Sequence, residues 1–179
     1  MQTNWMRVRR RTFLRAGAAA GLAGLCLNFA RGKASGKWRF FTDAEARTVE
    51  AVSEQLIPAD RDPGARFAGV TNYIDIQLTR AFRKHQKTYR EGLAGVDSAS
   101  RAKFGKLFAD LSPEQQIDVL NGVEEDSQPF FELILAHTRQ GYYGDPRHGG
   151  NRRMVSWKMV GLPFPPVRGR QHYEDSKQG

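Results

Sequence analysis

The side chains best suited to acid–base or metal chemistry in this 179-residue chain are its four histidines, which are widely separated. They are His85, His137, His148 and His172. No two of them have the His-x3-His or His-Glu-x-x-His spacing that places metal ligands on one face of a helix. His137 lies in an apolar helical stretch, so we expect it to be a hydrogen-bonded core residue. His148 lies in a glycine-rich segment, where it could contact a ligand or a partner protein.

Motifs for nucleophilic or phosphate chemistry are missing from the sequence. No Gly-x-Ser-x-Gly elbow occurs, and no glycine-rich stretch has the Lys-Ser/Thr ending of a P-loop or the GxGxxG pattern of a dinucleotide site. The single cysteine, Cys26, lies near the amino terminus. The acidic run Glu124-Glu125-Asp126 ends a predicted helix, and we interpret it as a solvent-facing surface. We therefore predict no catalytic residue, no metal ligand and no cofactor-binding residue.

The most unusual segment covers residues 141–157, where glycine, tyrosine, arginine and tryptophan are concentrated. It lacks the strand that precedes a nucleotide-binding glycine loop, so we assign its glycines to positive φ angles and close backbone contacts. The segment is too aromatic for a disordered linker. We expect an ordered loop, a short helix over about residues 153–160, and then an extended tail.

An export signal is the clearest motif at the amino terminus. A basic stretch, an apolar run of small residues and a polar stretch follow one another in the three-part plan of a signal peptide. Arg10, Arg11, Phe13 and Leu14 match the twin-arginine consensus. Paired guanidinium groups suit forked hydrogen bonds to receptor carboxylates. We predict export of the folded chain to the periplasm by the Tat translocase. No clear Ala-x-Ala site follows, so cleavage and retention of the leader both stay open.

The positive charge of the chain is concentrated in this leader. The chain carries 28 Lys and Arg against 19 Asp and Glu, a formal net charge of +9. Residues 1–33 hold seven of the basic residues and no acidic one, which leaves 21 basic against 19 acidic residues in the remainder. A leader is not a nucleic-acid interface, and the remainder is nearly neutral. We therefore predict no binding to nucleic acid.

Helical spacing of apolar residues dominates the chain after the leader. Thr42-Asp43-Ala44-Glu45 and Ser112-Pro113-Glu114-Gln115 are capping-box sequences, and each predicts the start of a helix. Pro58 ends the first of these helices. A joint near residues 97–100 would divide the longest predicted helix in two. The other predicted helices cover about residues 70–85, 88–111 and 129–140.

These elements predict an all-α protein. We expect a single compact helical domain of about five to six helices, with an ordered glycine- and aromatic-rich C-terminal loop region. The predicted boundaries are residues 1–36 for the twin-arginine signal segment, 37–170 for the helical domain and 171–179 for a frayed tail. No period-2 strand pattern, internal repeat or heptad seam is visible.

Several short sequence pieces lie in a characteristic order and spacing over about residues 41–163. They are Leu56-Ile57-Pro58-Ala59-Asp60, Asp62-Pro63-Gly64-Ala65, Ala68-Gly69-Val70, Tyr73-Ile74-Asp75, Gly141-Tyr142-Tyr143-Gly144, Gly149-Gly150-Asn151, Trp157 and Gly161. In this order and spacing, the sequence resembles the gluconate 2-dehydrogenase subunit 3 family. These are the small subunits of membrane-bound, FAD-dependent sugar, sugar-acid and polyol dehydrogenases. One departure is the lack of cysteine after the leader, because some members carry cysteines there; a disulfide link to a partner is therefore in doubt.

The resemblance implies a subunit that binds no cofactor of its own. Its partners would be an FAD-binding large catalytic subunit and, in many members, a multihaem cytochrome c that takes the electrons. The small subunit would escort the large one into the periplasm and stay bound, membrane-associated through its partners. We expect the aromatic segment to form the docking face, since large aromatics supply contact energy at interfaces. The predicted docking residues are Tyr142, Tyr143, His148, Gly149, Gly150, Asn151 and Trp157.

Two alternative functions stay open on the sequence. The first is a self-sufficient periplasmic enzyme that uses His137, His148 and nearby carboxylates. The second is a solitary binding module formed by the His148 loop. The enzyme would turn over a substrate without a partner, and the binding module would stay soluble and monodisperse alone.

Overall fold

Seven α-helices and four short 3₁₀ turns make up the described part of the chain. The computed structural model describes residues 37–161, and no strand occurs in that range. The α-helices are α1 (Asp43–Leu56), α2 (Ala65–Ala68), α3 (Val70–Leu78), α4 (Gln86–Phe104), α5 (Pro113–Asp126), α6 (Gln128–Tyr143) and α7 (Val155–Met159). The 3₁₀ turns are Arg83–His85, Phe108–Asp110, Pro146–His148 and Arg152–Met154. The all-α prediction is confirmed, with the four-residue α2 added to the expected helices.

Both predicted capping boxes are present and fix where two helices begin. At α1 the Thr42 hydroxyl accepts a hydrogen bond from the Glu45 backbone N–H, and the Glu45 carboxylate accepts one from the Thr42 N–H at 2.8 Å. Ser112 and Gln115 make the same reciprocal pair at α5, with proline at its first position. Each pair satisfies two backbone donors that a helix start leaves free, which stabilises each helix by about 1 kcal/mol.

The helix predicted over residues 70–85 is shorter than expected. α3 ends at Leu78, and a turn leads into the 3₁₀ segment Arg83–His85. The Gln86 side chain donates to the Leu78 carbonyl oxygen at 2.8 Å, which satisfies a free acceptor at the helix end. The Phe82 ring stacks on His137 of α6 with centroids 3.8 Å apart. The break is therefore held by contacts from elsewhere in the chain, without any proline or glycine.

The predicted joint near residues 97–100 is wrong, because α4 runs unbroken from Gln86 to Phe104. Its polar residues face neighbouring elements. The Asp97 carboxylate accepts from the backbone N–H of Phe108 at 3.2 Å, and the Ser100 hydroxyl donates to the Lys106 carbonyl oxygen at 2.8 Å. These side chains fix the chain that follows α4 and do not end the helix.

α6 is the central helix, as its apolar sequence predicted, since it contacts all six other α-helices. It extends to Tyr143, beyond the predicted end at residue 140. Gly141 lies in the last turn of α6. A Cβ at this position would be 2.9 Å from the nearest atom of the Tyr73 side chain of α3, so glycine suits the close packing there. The largest fully buried side chains of the described residues are Tyr89, Phe41, Phe108, Ile74, Leu78, Leu93 and Ile134.

One buried carboxylate ties the segment before α1 to α3. Asp75 is 2% exposed, and its carboxylate accepts hydrogen bonds from three successive backbone N–H groups at 2.8–3.0 Å. These donors belong to Arg39, Phe40 and Phe41. Arg90 of α4 adds a hydrogen bond to the Phe40 carbonyl oxygen at 2.7 Å, with its guanidinium over the Phe40 ring. The first described residues are therefore fixed to two helices.

Three of the predicted regions lie wholly or mostly outside the described residues. They are the twin-arginine segment with Arg10, Arg11, Phe13 and Leu14, the extended tail that follows the last predicted helix up to residue 170, and the frayed tail over residues 171–179. Within residues 37–161, each helix is too short or too polar to cross a membrane.

Candidate functional site

Exposed large apolar side chains of the described chain occur mainly on α2, α6 and α7. Four of its five exposed large hydrophobic residues lie on α2, at the end of α6, or at the end of α7; the fifth, Ile117, lies on α5. Trp157 of α7 is half-buried. α6 contacts both α2 and α7. We call this set the aromatic face: Phe67, Tyr143, Trp157, Met159 and Val160. Exposed apolar groups on contacting elements are candidates for an interaction surface.

Hydrogen bonds and ring contacts fix the aromatic side chains of this face to the residues beneath them. The Trp157 indole N–H donates to the Tyr143 carbonyl oxygen at 3.0 Å. The Tyr143 ring meets the buried Tyr142 ring edge-on, with centroids 4.9 Å apart. The Tyr142 hydroxyl donates to the Pro63 carbonyl oxygen at 2.6 Å, and burial raises the pKa of Tyr142. The hydroxyl therefore stays protonated and keeps the end of α6 attached to the loop before α2.

Asn151 joins the end of α6 to α7. It is fully buried, and its side-chain amide donates to the Gly144 carbonyl oxygen at 2.9 Å. Its side-chain oxygen accepts from the Ser156 backbone N–H at 3.1 Å. Its own backbone N–H donates to the Gly141 carbonyl oxygen at 2.8 Å. One side chain thus satisfies backbone groups on both sides of the loop and sets the position of Trp157.

The backbone beside Asn151 is strained. Asn151, Arg153 and Met154 have φ angles of 42°, 59° and 56°, the only positive values at non-glycine residues in the described chain. Such conformations cost about 1–3 kcal/mol each and persist where the surroundings determine them. Gly150 packs so closely that a Cβ would lie 2.1 Å from the Gly141 carbonyl oxygen. The hydrogen bonds of Asn151 offset this strain and hold the segment rigid.

The His148 loop lies at the edge of this region. The Asp145 carboxylate accepts from the Arg147 backbone N–H and from its guanidinium, and these hydrogen bonds hold the pKa of Asp145 below its usual range. Asn72 of α3 donates to the Gly149 carbonyl oxygen at 2.8 Å. The loop is therefore fixed at both ends, and His148 itself is exposed.

The structure divides the seven predicted docking residues by exposure. Tyr143 is 49% exposed and His148 is exposed, while Trp157 and Gly149 are half-buried. The other three predicted docking residues are buried within the fold; these are Tyr142, Gly150 and Asn151. They support the surface from within. Docking by the exposed residues stays a prediction.

Several members of the aromatic face were not predicted from the sequence. Phe67 lies in the four-residue α2, where the pattern is too short to show a helical period. Met159 and Val160 are exposed because α7 ends there. The Arg153 guanidinium lies over the Phe67 ring, 5.8 Å from its centroid. The position of a cation over an aromatic ring depends on the fold, so the sequence alone does not indicate it.

His137 is a core residue, as predicted. Its Nδ1 is 2.9 Å from the Tyr89 hydroxyl, and its ring stacks against Phe82. Burial, followed by the nearby His85, lowers the pKa of His137 to about 4, so the imidazole is neutral at pH 7. One face of the ring and Nδ1 are therefore in contact with core residues. Residues 37–161 hold no group of three or more His, Cys, Asp or Glu placed to bind a metal ion.

One protein-family model matches most of the described chain, including its C-terminal segment. The family model for gluconate 2-dehydrogenase subunit 3 matches residues 43–163, which covers α1 to α7 and the aromatic face. No curated protein and no solved structure matches the chain. The match extends over more than half of the sequence and includes every helix described above. The chain therefore belongs to the gluconate 2-dehydrogenase subunit 3 family, the members of which are named as subunits of a dehydrogenase complex.

Proposed function

We propose that the chain is the non-catalytic small subunit of a periplasmic, FAD-dependent sugar, sugar-acid or polyol dehydrogenase. It binds the flavin-containing large subunit in the cytoplasm, escorts it through the twin-arginine route and stabilises it afterwards. FAD belongs to the large subunit, and a multihaem cytochrome c accepts the electrons. Membership of a dehydrogenase-subunit family supports the partnership, and the Arg10-Arg11 leader supports the route.

The observation that carries the proposal is the aromatic face on a rigid support. Tyr143 and Trp157 expose aromatic surface, while Asn151 and Tyr142 fix the backbone beneath them. Aromatic residues held in place before binding lose little conformational entropy when a partner covers them. Such residues carry a large share of the binding energy at interfaces. The face therefore fits a permanent contact with another folded subunit.

The test is co-purification of the FAD-binding large subunit with a tagged form of this chain. Replacing Tyr143 and Trp157 together by alanine removes two aromatic contacts. We expect each to weaken binding by about 2 kcal/mol, which is roughly 30-fold per residue. The flavoprotein should then be lost from the tagged small subunit during affinity purification. Flavin absorbance in the eluate measures the loss directly.

The matched control is Ile117→Ala on α5. Ile117 is 50% exposed, close to the value for Tyr143, but it lies outside the aromatic face. The Ile117→Ala protein should retain the flavoprotein at the wild-type ratio. Retention by the Tyr143→Ala, Trp157→Ala protein, with an unchanged circular dichroism spectrum, would show that the aromatic face is not the contact.

A further inference from the structure

A cleft of about 470 Å³ opens on the side of the molecule where the first described residues cross α1. Its walls come from the segment before α1, the first three turns of α1, α2, the start of α3 and the 3₁₀ turn Arg152–Met154. The volume lies within the range of clefts that bind small molecules or a few residues of a peptide. This recess therefore lies between elements that are distant in sequence.

Positive charge is in excess around this cleft. Four cationic side chains line it against two carboxylates, Asp43 and Glu50. The cations are Lys37, Arg47, Arg66 and Arg152. Arg47 pairs with Asp110 and Arg66 pairs with Glu50, whereas the ion pairs formed within residues 37–161 include neither Lys37 nor Arg152. Lys37 lies over the Trp38 ring, 4.8 Å from its centroid, and neither Lys37 nor Arg152 has a carboxylate partner within residues 37–161. Both positive charges can therefore receive an incoming anion.

The position of Arg152 is built by the strained segment described above. Asn151 before it and Arg153 after it both have positive φ, so the backbone turns sharply on either side of Arg152. Its guanidinium lies against Gly69, where a Cβ would be 3.3 Å from the nearest guanidinium nitrogen. Gly69 itself has φ of 74°, a conformation that favours glycine. Strained backbone on both sides of Arg152, and a glycine beside its guanidinium, therefore place this arginine at the cleft.

The same segment connects the cleft to the aromatic face. Arg152 lines the cleft, and the next residue, Arg153, lies over the Phe67 ring of the aromatic face. A partner that covers Phe67 would therefore reach the cleft with an adjacent part of its chain. This continuity favours a protein segment over a free small acid as the occupant.

We infer that this cleft binds a carboxylate-bearing segment of the partner subunit, with Arg152 and Lys37 as the recognising cations. The inference rests on the proposed function, because it requires a partner subunit on the aromatic face. The planar guanidinium of Arg152 forms a forked pair of hydrogen bonds with an Asp or Glu side chain, and Lys37 adds a second positive charge. Contacts of this kind set orientation and specificity and accelerate association.

The experiment measures the dissociation constant of the full-length chain for the isolated flavoprotein at several salt concentrations. The wild-type affinity should fall as salt rises, because salt screens the charge pairs. The double variant Lys37→Gln, Arg152→Gln should bind about ten-fold more weakly at low salt and show a flatter salt dependence. Neither side chain takes part in an ion pair within the described residues, so the thermal unfolding midpoint should not change.

The control is Arg80→Gln, which removes an exposed arginine that does not line the cleft. It should retain both the affinity and the salt dependence of the wild type. Equal affinity and salt slope in the wild type and in the Lys37→Gln, Arg152→Gln variant would overturn the inference. Failure of the wild-type chain to bind the flavoprotein at all would instead overturn the proposed function.

A second experiment distinguishes a carboxylate of the partner protein from the carboxylate of a free sugar acid. Free gluconate is titrated calorimetrically into the wild type and into the same double variant. Gluconate binding that requires Arg152, together with unchanged flavoprotein affinity in the variant, would identify a small-acid site and contradict the inference. The expected result is no saturable heat with gluconate and a clear loss of flavoprotein affinity.

Discussion

At the scale of single residues, His137 shows how a group suited to catalysis is used for packing. Tyr89 and Phe82 lie against its ring, and His85 approaches it with ring centroids 5.6 Å apart. Burial makes a positive charge on the His137 ring costly, and the nearby His85 adds to this cost, so the neutral form is favoured. His137 therefore links the stability of the fold to pH.

The free energy of unfolding should fall as the pH drops below the usual histidine range. The pKa of His137 is about 4 in the folded protein and near 6.5 when unfolded, so the unfolded state takes up the proton first. Its stabilising effect is complete above pH 6.5 and is lost between pH 6.5 and 4. Between pH 7.5 and 5 the loss should be about 2 kcal/mol. Urea unfolding at the two pH values measures it.

Two histidine variants test whether protonation of His137 causes this loss of stability. His137→Gln keeps a hydrogen-bond acceptor for Tyr89 but removes the titrating ring, so its stability should change much less between pH 7.5 and 5. His148→Gln changes an exposed histidine and should follow the wild type. An equal pH dependence in the wild type and in His137→Gln would contradict the assignment.

The sequence predicted the burial of an individual residue only where its neighbours along the chain determine it. The core position of His137 follows from the apolar helix that carries it. The burial of Asn151 does not follow from its neighbours, because a polar residue in a glycine-rich loop normally faces water. Its hydrogen bonds reach residues five to ten positions away on two different helices. Tertiary contacts of that kind leave no periodic signal in the sequence.

At the scale of elements, the segment before α1 depends on a single carboxylate of α3. Asp75→Asn would leave one acceptor oxygen and turn an amide donor toward backbone N–H groups that need an acceptor. We expect the variant to lose about 2–3 kcal/mol of stability at pH 7. Urea unfolding gives the loss, and hydrogen exchange at the amides of residues 39–41 should accelerate.

The matched control for this prediction is Asp118→Asn on α5. Asp118 is half exposed and pairs with Lys103 at the surface, so its loss should cost less than 1 kcal/mol. Equal small losses in the two variants would mean that Asp75 does not anchor the segment.

Helix starts were easier to predict from the sequence than helix ends. Four consecutive residues define each of the starts of α1 and α5, through the capping pairs Thr42 with Glu45 and Ser112 with Gln115. The end of α3 depends on Gln86 eight residues later and on the stacking of Phe82 against α6. The predicted glycine-rich loop began too early, because α6 continues through Gly141 to Tyr143, and Gly141 packs closely against Tyr73 of α3.

At the scale of the whole molecule, the chain combines two parts with different charge. Residues 1–33 carry seven basic residues and no acidic ones, and the remainder is nearly neutral apart from local excesses such as the cleft. This division suits a transport signal joined to a body that binds another protein. A helical body rich in local contacts also folds fast, which suits a route that carries folded proteins.

The central claim is that this chain provides the export signal for its partner. Replacing Arg10 and Arg11 by lysine keeps the charge but removes the paired guanidinium groups, while Arg7→Lys with Arg9→Lys is a control outside the consensus pair. The direct measurement is the amount of flavoprotein in periplasmic and cytoplasmic fractions, by immunoblot and dehydrogenase activity. The account predicts that the Arg10→Lys, Arg11→Lys variant leaves both subunits in the cytoplasm and that the control exports both. Wild-type amounts of flavoprotein in the periplasm of the Arg10→Lys, Arg11→Lys strain would contradict it.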